Sequence, residues 1–239
     1  MKIGIIGLGL IGGSIALKLK EVNNNFIIYG FDQNIDSLEY SLKNQIIDKR
    51  FNPESLIDFD YIFLAIPVES IKKQLKIILD KISKETLVID LGSTKYQICN
   101  SVKTHNNRSN FLAAHPIAGT EFSGPLAAQK DLFNNKVMIL CETENTNTSL
   151  LLSAIEIFKK LGMTIKTMDS LEHDKHIAYV SHLSHISSFM LGKTVMDKED
   201  DEQTIYDMAG SGFESTVRLA KSSPEMWSSI FIENKNNII

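Results

Sequence analysis

Cysteine is scarce in this chain of 239 residues, and its scarcity narrows the class of protein. Only Cys99 and Cys141 are present, too few for a disulfide framework and without the spacing of a metal site. We therefore expect two free thiols in a reducing compartment, which predicts a cytoplasmic protein.

Positive charge is not in excess either. The formal net charge is −4 and the pI is about 5.9, so the chain as a whole is not attracted to nucleic acid or to an anionic membrane. We expect neither among its partners. Any anionic small molecule would have to be held by a local cluster of positive groups.

Long hydrophobic runs are also missing. The uncharged N-terminal stretch Ile3–Leu17 is shorter than the roughly 20 apolar residues that a membrane-spanning helix needs. It is rich in glycine, which makes a poor apolar helix, and no small-residue cleavage site follows it. We interpret the stretch as a strand, a turn and the start of a helix.

The first two thirds of the sequence alternate apolar runs with amphipathic segments. The runs are Ile3–Ile6, Phe26–Phe31, Tyr61–Ile66, Leu87–Asp90 and Phe111–Ala114, and two further strands are expected over Val137–Cys141 and Thr164–Met168. The amphipathic segments are Ser14–Glu21, Ile35–Asn44, Val68–Ile82 and Leu150–Leu161. Continuous apolar runs suit strands buried on both faces, and their alternation with helices indicates βαβ units. We predict an α/β fold with a doubly wound, Rossmann-type domain over residues 1–169.

After about residue 170 the pattern becomes helical. We predict one long helix over Leu171–Met196 and further helices over Ile205–Ser222 and from Pro224 onward. Residues 170–239 are therefore expected to form an all-α second domain.

A glycine pattern follows the first predicted strand. Gly7 permits a tight turn, Gly9 permits close approach of backbone amides to a pyrophosphate, and Gly12 permits close packing of helix on strand. Asp32 ends the second predicted strand twenty residues later, where an acid binds the adenosine ribose and repels a 2′-phosphate. No lysine or arginine occurs in residues 30–42, so we predict NAD rather than NADP. A turn that binds another nucleotide, or nothing, is the alternative.

Further cofactor contacts are expected around this turn. Leu10 and Ile11 belong to it, while Ala65, Pro67 and Val68 follow the third apolar run. Ser93 belongs to the turn Gly92–Lys95 after the next run, and it can also face the crevice. Ordinary turns are the alternative at these strand ends.

Histidines are the candidate proton acceptors. His115 begins a loop, HPIAGTEFSG, after a predicted strand, and histidine takes up a proton near neutral pH. His182 and His185 lie three residues apart on the long helix, but no zinc motif accompanies them, so we expect no metal. His173 and His176 are expected to cap the helix start or face solvent.

Arginine is rare, which makes Arg218 informative. The chain has three arginines, and this one lies in an apolar helical stretch nine residues before Trp227, the single tryptophan. A planar guanidinium binds a carboxylate through two hydrogen bonds. We therefore expect Arg218 to bind a carboxylate, with a structural ion pair as the alternative.

Together these motifs resemble the prephenate dehydrogenase family, including its arogenate and cyclohexadienyl variants. The resemblance runs to about Asn234 and rests on Gly7–Gly12, Gly92–Lys95, His115–Gly124, Ser181–His185, Gly210–Ala220 and Pro224–Trp227. The His115 loop and the Ser181–His185 segment are specific to the family, whereas the glycine turn is not.

The resemblance implies NAD-dependent oxidative decarboxylation of prephenate to 4-hydroxyphenylpyruvate in tyrosine biosynthesis, or of arogenate to tyrosine. It implies that His115 accepts the proton of the substrate's ring hydroxyl, assisted by Ser93, and that Arg218 and His185 anchor a substrate carboxylate. The implied substrate site is completed by Thr120, Glu121, His182 and Trp227. A homodimer is also implied, and feedback inhibition by tyrosine is plausible on chemical grounds.

The sequence departs from the family pattern in three places. Ser184 replaces a frequent proline, and Ser215 stands where an acid is common, with Glu214 beside it. The chain stops at Ile239 while relatives continue with more helix, so we expect a truncated or short form with a weaker dimer interface.

Several functions remain open on this reasoning. His185 and the family likeness favour prephenate, whereas Glu121 suits the amine of arogenate. A β-hydroxyacid dehydrogenase is a remoter alternative, although such enzymes place a lysine where this helix carries His182 and His185. A non-catalytic sensor of tyrosine or of the dinucleotide is the other.

Overall fold

Eight strands form one sheet in a computed structural model that describes residues 1–56, 58–202 and 204–239. The strands are β1 (Lys2–Ile6), β2 (Ile27–Phe31), β3 (Lys49–Arg50), β4 (Tyr61–Leu64), β5 (Leu87–Asp90), β6 (Phe111–Ile117), β7 (Val137–Cys141) and β8 (Thr164–Met168). Their order across the sheet is β3-β2-β1-β4-β5-β6-β7-β8. The predicted strands are all present, and the two-residue β3 is an addition.

The order of the strands creates a crevice at one edge of the sheet. β1 pairs in parallel with β2 on one side and with β4 on the other, so the winding direction reverses at β1. Ligands of doubly wound sheets bind beyond the carboxyl ends of the strands at such a reversal. The predicted Rossmann-type fold is confirmed.

The far side of the sheet differs from a purely parallel arrangement. β7 runs antiparallel to β6, with His115 opposite Ile139, and β8 then pairs in parallel with β7. The connection from β6 to β7 contains a short 3₁₀ turn, Pro125–Ala127, and no α-helix. A parallel return needs a crossover, usually helical, so the chain comes back antiparallel.

Among its described residues, the sheet domain contains the helices α1 (Leu10–Val22), α2 (Ile35–Lys43), α3 (Val68–Asp80), α4 (Tyr96–Ser101) and α5 (Thr148–Lys160). The core lies on both faces of the sheet. Along β4, Tyr61 and Phe63 belong to one buried cluster, and Ile62 and Leu64 belong to the other. Burial on both faces explains why this strand is a continuous apolar run.

The C-terminal part is helical, as predicted. Its helices are α6 (Ser170–Ile177), α7 (Leu183–Glu202), α8 (Ser211–Val217), α9 (Pro224–Glu233) and α10 (Lys235–Ile238). The predicted long helix is interrupted by a π-helical turn, Ala178–His182, and continues to Glu202. The predicted helix over Ile205–Ser222 is divided into α8 and two 3₁₀ turns, Tyr206–Met208 and Arg218–Lys221.

The helical part is attached to the sheet domain through α9. Trp227 and Ile230 enter the buried cluster that α3 also lines, and Lys72 of α3 pairs with Glu233 at 2.6 Å. In the described ranges, no helix is both long and apolar enough to cross a membrane.

Candidate active site

The dinucleotide turn, Gly7–Gly12, joins β1 to α1 at the sheet reversal. Gly7 has a φ of +92°, and a Cβ placed on it would lie 2.3 Å from the carbonyl oxygen of Ala65. A Cβ on Gly12 would lie 1.9 Å from the carbonyl oxygen of Gly7, whereas a Cβ on Gly9 would meet no atom within 4 Å. Gly7 and Gly12 are therefore required by the fold, and Gly9 borders open space.

The start of α1 suits an anionic group. Gly9 caps the helix without a side-chain hydrogen bond, and Leu10 and Ile11 pack against the core. Asp32, directly after β2, accepts hydrogen bonds from the backbone N–H of Leu8 at 2.8 Å and of Asn34 at 2.9 Å. Free amides beside an open cradle, with an acid fixed next to them, fit the pyrophosphate and ribose of a dinucleotide.

The ends of β4 and β5 lie along the same edge. Ala65 contacts the glycine turn through its carbonyl, Pro67 caps α3, and Val68 is buried at its start. Ser93 lies half-buried between β5 and α4, and its hydroxyl makes no hydrogen bond within the described residues.

His115 lies inside a strand rather than at the start of a loop. Pairing with β7 extends β6 to Ile117, three residues beyond the predicted run, so His115 is buried with 9% exposure. Its Nδ1 lies 2.9 Å from Nε2 of His173. Its Nε2 makes no hydrogen bond in the part of the chain that the structure describes.

His173 is not a solvent-exposed or capping residue, so that prediction is wrong. It is 1% exposed, and its Nδ1 lies 2.8 Å from Oδ1 of Asp174. The cap of α6 is Asp169, whose side chain accepts the N–H groups of Leu171 and Glu172. His176, by contrast, is exposed as expected.

Lys95 forms a buried junction beneath these histidines. It is fully buried; its ammonium pairs with Asp90 and donates to the carbonyl of Ala114 at 2.9 Å. Its backbone N–H donates to Asp174 at 2.7 Å. Burial raises the pKa of Asp90, and the contact with Lys95 opposes that rise. One residue thus ties β5, β6 and α6 together, the strands through its side chain and the helix through its backbone.

The buried histidines are held in the neutral form. Burial lowers the pKa of His115 well below its ordinary value, and the neighbouring His173, Lys95 and His182 lower it further. Burial also lowers the pKa of His173, against the opposing effect of Asp174. A neutral His115 with a free Nε2 is able to accept a proton from a bound molecule.

The structure brings two predicted site residues together. Arg218, at the start of a 3₁₀ turn, donates from Nη1 to Oε2 of Glu121 at 3.1 Å. The side chain of Arg218 is 52% exposed and that of Glu121 is 22% exposed. A hydrogen bond from its own backbone N–H and the charge of Arg218 lower the pKa of Glu121. Thr120, directly before Glu121, accepts the N–H of Phe122 at 3.2 Å.

His185 and Trp227 form a stacked pair. Their ring centroids lie 3.5 Å apart with 23° between the planes. Nδ1 of His185 donates to the carbonyl of Ser181 at 3.0 Å, which leaves Nε2 for a ligand. Burial lowers the pKa of His185.

Three buried polar atoms lack a partner within the described residues: Thr94 Oγ1, His182 Nε2 and Trp227 Nε1. His182 Nδ1 accepts from the amide of Asn234 at 3.1 Å, so its proton is on Nε2 when the ring is neutral. Burial lowers the pKa of His182 to about 4. The rings of His182 and Trp227 lie 5.9 Å apart and therefore offer two unpaired N–H donors. Such donors suit a ligand that carries several hydrogen-bond acceptors.

Reasoning from the sequence missed Lys95, His173 and Asp174. A signal for two of them was present: Ser170, His173, Asp174 and Ile177 have the spacing of one helix face, and all four are buried. A histidine and an acid on an apolar face indicate a buried polar pair.

Two family models match the chain. The model described as "Prephenate dehydrogenase, nucleotide-binding domain" matches residues 15–167, and "Prephenate dehydrogenase, dimerization domain" matches residues 169–239.

Known proteins give the same result. The prephenate dehydrogenase of Bacillus subtilis (strain 168) is 31% identical over 239 residues, 98% of this chain and 64% of the relative. The chain thus spans slightly under two thirds of that relative's length.

Solved structures agree as well. The crystal structure of prephenate dehydrogenase from A. aeolicus, in complex with hydroxyphenyl propionate and NAD+, has a TM-score of 0.89 and 32% identity. It matches over 100% of this chain and 84% of that chain. The Synechocystis arogenate dehydrogenase has a TM-score of 0.79 and 28% identity, over 100% of this chain and 85% of that one.

Proposed function

Because the chain belongs to the prephenate dehydrogenase family, we propose that it catalyses the NAD-dependent oxidative decarboxylation of prephenate to 4-hydroxyphenylpyruvate. The observation that carries this proposal is the buried, neutral His115, with a free Nε2, on the sheet that also presents the dinucleotide turn. The ligands named for the A. aeolicus structure, NAD+ and a hydroxyphenyl acid, support it.

NAD is the proposed cofactor. Gly7, Gly9, Leu10, Ile11 and Gly12 would hold its pyrophosphate, and Asp32 its ribose, while Ala65, Pro67, Val68 and Ser93 would line the nicotinamide end. When bound, it accepts a hydride from the ring carbon that carries the hydroxyl. The open space at Gly9 and the fixed carboxylate of Asp32 support this assignment.

The side chains around the substrate have separate tasks. Nε2 of His115 takes the hydroxyl proton as the ring carbon loses its hydride, with Ser93 assisting, and returns it when the phenol forms. The bond to the ring carboxylate breaks, CO₂ leaves, and its electron pair makes the ring aromatic. No net proton is consumed, so a single base near the hydroxyl suffices.

The carboxylates of the substrate need donors. Arg218 and His185 are proposed to bind one of them, with Thr120, Glu121, His182 and Trp227 shaping the pocket. The unpaired N–H groups of His182 and Trp227 support this, because a buried donor without a partner is destabilising by about 1–3 kcal/mol until a ligand satisfies it.

Arogenate is the second candidate substrate. It carries an ammonium in place of the keto group of prephenate, and the Glu121 carboxylate is a suitable partner for that cation. In this structure Glu121 is already paired with Arg218, which favours prephenate. The likeness to the Synechocystis arogenate dehydrogenase supports the alternative, and a dual-specificity enzyme lies between the two.

The remaining assignments are proposals as well. We propose a boundary between residues 169 and 170, where the Asp169 cap begins α6, and a homodimer, because the second matching model is described as a dimerization domain. We also propose a cytoplasmic location, from the two free cysteines, and tyrosine as a product-like inhibitor of the same pocket.

The proposed function is tested by steady-state kinetics with NAD+ and each substrate. Comparison of kcat/KM for prephenate and arogenate decides between them, and His115→Asn should lower kcat by about 10²- to 10⁴-fold while NAD+ affinity is kept. Turnover of β-hydroxyacids without turnover of either cyclohexadiene would contradict the proposal. Full activity of the His115→Asn protein would contradict the role of that histidine.

A further inference from the structure

The buried histidine that is paired with His115 has no role in the proposed chemistry so far. His173 lies on α6, 58 positions from His115 in the sequence, yet their ring nitrogens are 2.9 Å apart. Asp174 continues the series, 2.8 Å from the other nitrogen of His173. Each of the three residues is at least nine-tenths buried.

We propose that Asp174 and His173 are positioning residues that set the tautomer of His115 and stabilise its protonated form during turnover. This inference rests on the proposed function of His115 as the proton acceptor. It assigns a task to two residues that do not themselves touch the substrate.

Hydrogen-bond logic fixes the direction of the series. An ionised Asp174 only accepts, so Nδ1 of His173 carries a proton. In the neutral ring Nε2 of His173 is then an acceptor, and Nδ1 of His115 must be the donor to it. Nε2 of His115 is left with a lone pair, which is the form that takes a proton from a hydroxyl. A carboxylate behind a catalytic histidine has the same effect in serine proteases.

Asp174 is itself held firmly. Its Oδ1 accepts the backbone N–H of Lys95 at 2.7 Å, and its Oδ2 accepts the N–H of Tyr96 at 3.0 Å. Its own carbonyl accepts from the amide of Asn234 at 2.7 Å. Donors on both oxygens prevent the side chain from turning away.

The charges around His115 explain why the hydrogen-bonded series from Asp174 through His173 to His115, here called the relay, is needed. Lys95 faces it from the start of α4, His182 from the π-helical turn, and Asp90 pairs with Lys95 from β5. Burial and the ammonium of Lys95 both disfavour an imidazolium at position 115, and a proton on His182 would do so too. Asp174, through His173, is the negative charge that offsets them when the proton arrives.

The test uses the full chain and three variants. His173→Leu removes the acceptor, His173→Gln keeps an acceptor oxygen within reach of His115, and Asp174→Asn removes the charge. NAD+ affinity and melting temperature are measured first, because they report an intact fold. We expect His173→Leu and Asp174→Asn to lower kcat by about 10- to 100-fold, by analogy with the range found for the hydrogen-bond partners of metal-binding histidines. We expect His173→Gln to recover most of that loss.

Two further readouts separate positioning from a structural role. In Asp174→Asn the acid limb of the kcat/KM profile should move to lower pH, because a lost negative charge makes the histidine pair a weaker base. Heteronuclear NMR of protein with isotope-labelled histidine should show the proton of His115 on Nδ1 in the unsubstituted chain, and a redistribution in His173→Leu.

The outcomes are distinct. Folded, NAD-binding variants with unchanged kcat and unchanged acid limb would overturn the relay, as would an Nε2–H tautomer of His115 in the unsubstituted protein. If the unsubstituted protein oxidises neither prephenate nor arogenate, the proposed function fails. The NMR tautomer then decides alone whether His173 orients His115.

Discussion

Nη1 of Arg218 lies 3.1 Å from Oε2 of Glu121, and this hydrogen bond connects the helical part to the loop after β6. The guanidinium is half exposed, so this ion pair adds little to stability and is available for exchange with a substrate carboxylate.

Replacement of Arg218 by leucine should therefore act on substrate binding. A hydrogen bond to a charged group contributes about 1.5–3 kcal/mol, which corresponds to roughly 10- to 150-fold in KM for prephenate. The melting temperature should change little. Lys221→Leu, an exposed cation on the same 3₁₀ turn, is the matched control. An unchanged KM in Arg218→Leu would assign Arg218 to structure alone.

His185 should make substrate binding dependent on pH. Its Nδ1–H is bound to Ser181, so Nε2 donates to a carboxylate only when the ring is protonated. Burial lowers the pKa of the free ring, and a bound carboxylate raises it again, so binding takes up a proton. We expect KM for prephenate to rise as pH increases.

The matched variant is His185→Gln, whose amide donates at every pH. Its KM should be higher at acidic pH than that of the unsubstituted protein and should vary less with pH. A pH dependence identical in the two proteins would remove His185 from carboxylate recognition.

Two glycines of the dinucleotide turn should respond in opposite ways to alanine. A Cβ on Gly12 meets a carbonyl oxygen at 1.9 Å, so Gly12→Ala should destabilise the fold by about 1–3 kcal/mol or more. A Cβ on Gly9 meets nothing, so Gly9→Ala should melt like the unsubstituted protein. The Gly9→Ala protein should nevertheless bind NAD+ about tenfold more weakly, because the added methyl group occupies the space of the pyrophosphate.

Calorimetric titration with NAD+ and thermal melting measure both effects. Normal NAD+ affinity in a folded Gly9→Ala protein would mean that the pyrophosphate lies elsewhere.

The buried histidines should make the protein sensitive to acid. His115, His173 and His182 all have lowered pKa values because they are buried. An unfolded histidine titrates near about 6.5, so below that pH the unfolded chain binds more protons than the folded one. Stability is therefore full above about pH 6.5 and falls as pH decreases. For His182 the fall continues to about 4.

Urea unfolding at several pH values measures how steeply the free energy of unfolding falls with decreasing pH, and this dependence is the slope compared below. His182→Gln should reduce it, by up to about 1.4 kcal/mol per pH unit for one proton. His176→Gln, which removes an exposed histidine from the adjacent helix, is the matched control and should change the slope less than His182→Gln does. Equal slopes in His182→Gln and the unsubstituted chain would contradict the burial argument.

The sheet could be predicted because each strand can be identified from its own short segment of sequence. Val137–Cys141 is a buried or half-buried apolar run whose pattern is local, and its predicted bounds and those of the more exposed Thr164–Met168 are confirmed. The antiparallel direction of β7 could not be predicted in this way, because it depends on the absence of an α-helix between β6 and β7. The π-helical turn at Ala178–His182 left no signal in an otherwise regular apolar pattern.

Two residues of the site could be predicted because each carries a signal of its own. Arg218 was noticeable because arginine is rare, and His115 because it directly follows the apolar run Phe111–Ala114. His173 was placed at the surface because its significance arises from a contact 58 positions away. Lys95 was likewise invisible, because its two partners on β5 and β6 become neighbours only in the folded sheet.

The proposed reaction requires one active cleft that joins the dinucleotide turn to His115. The most direct measurement is a turnover experiment with NAD+ and prephenate carrying an isotopic label in the ring carboxylate. NADH and labelled CO₂ should appear together, one for one, with 4-hydroxyphenylpyruvate as the product. NAD+ binding without formation of NADH or CO₂, from prephenate and from arogenate alike, would contradict the account.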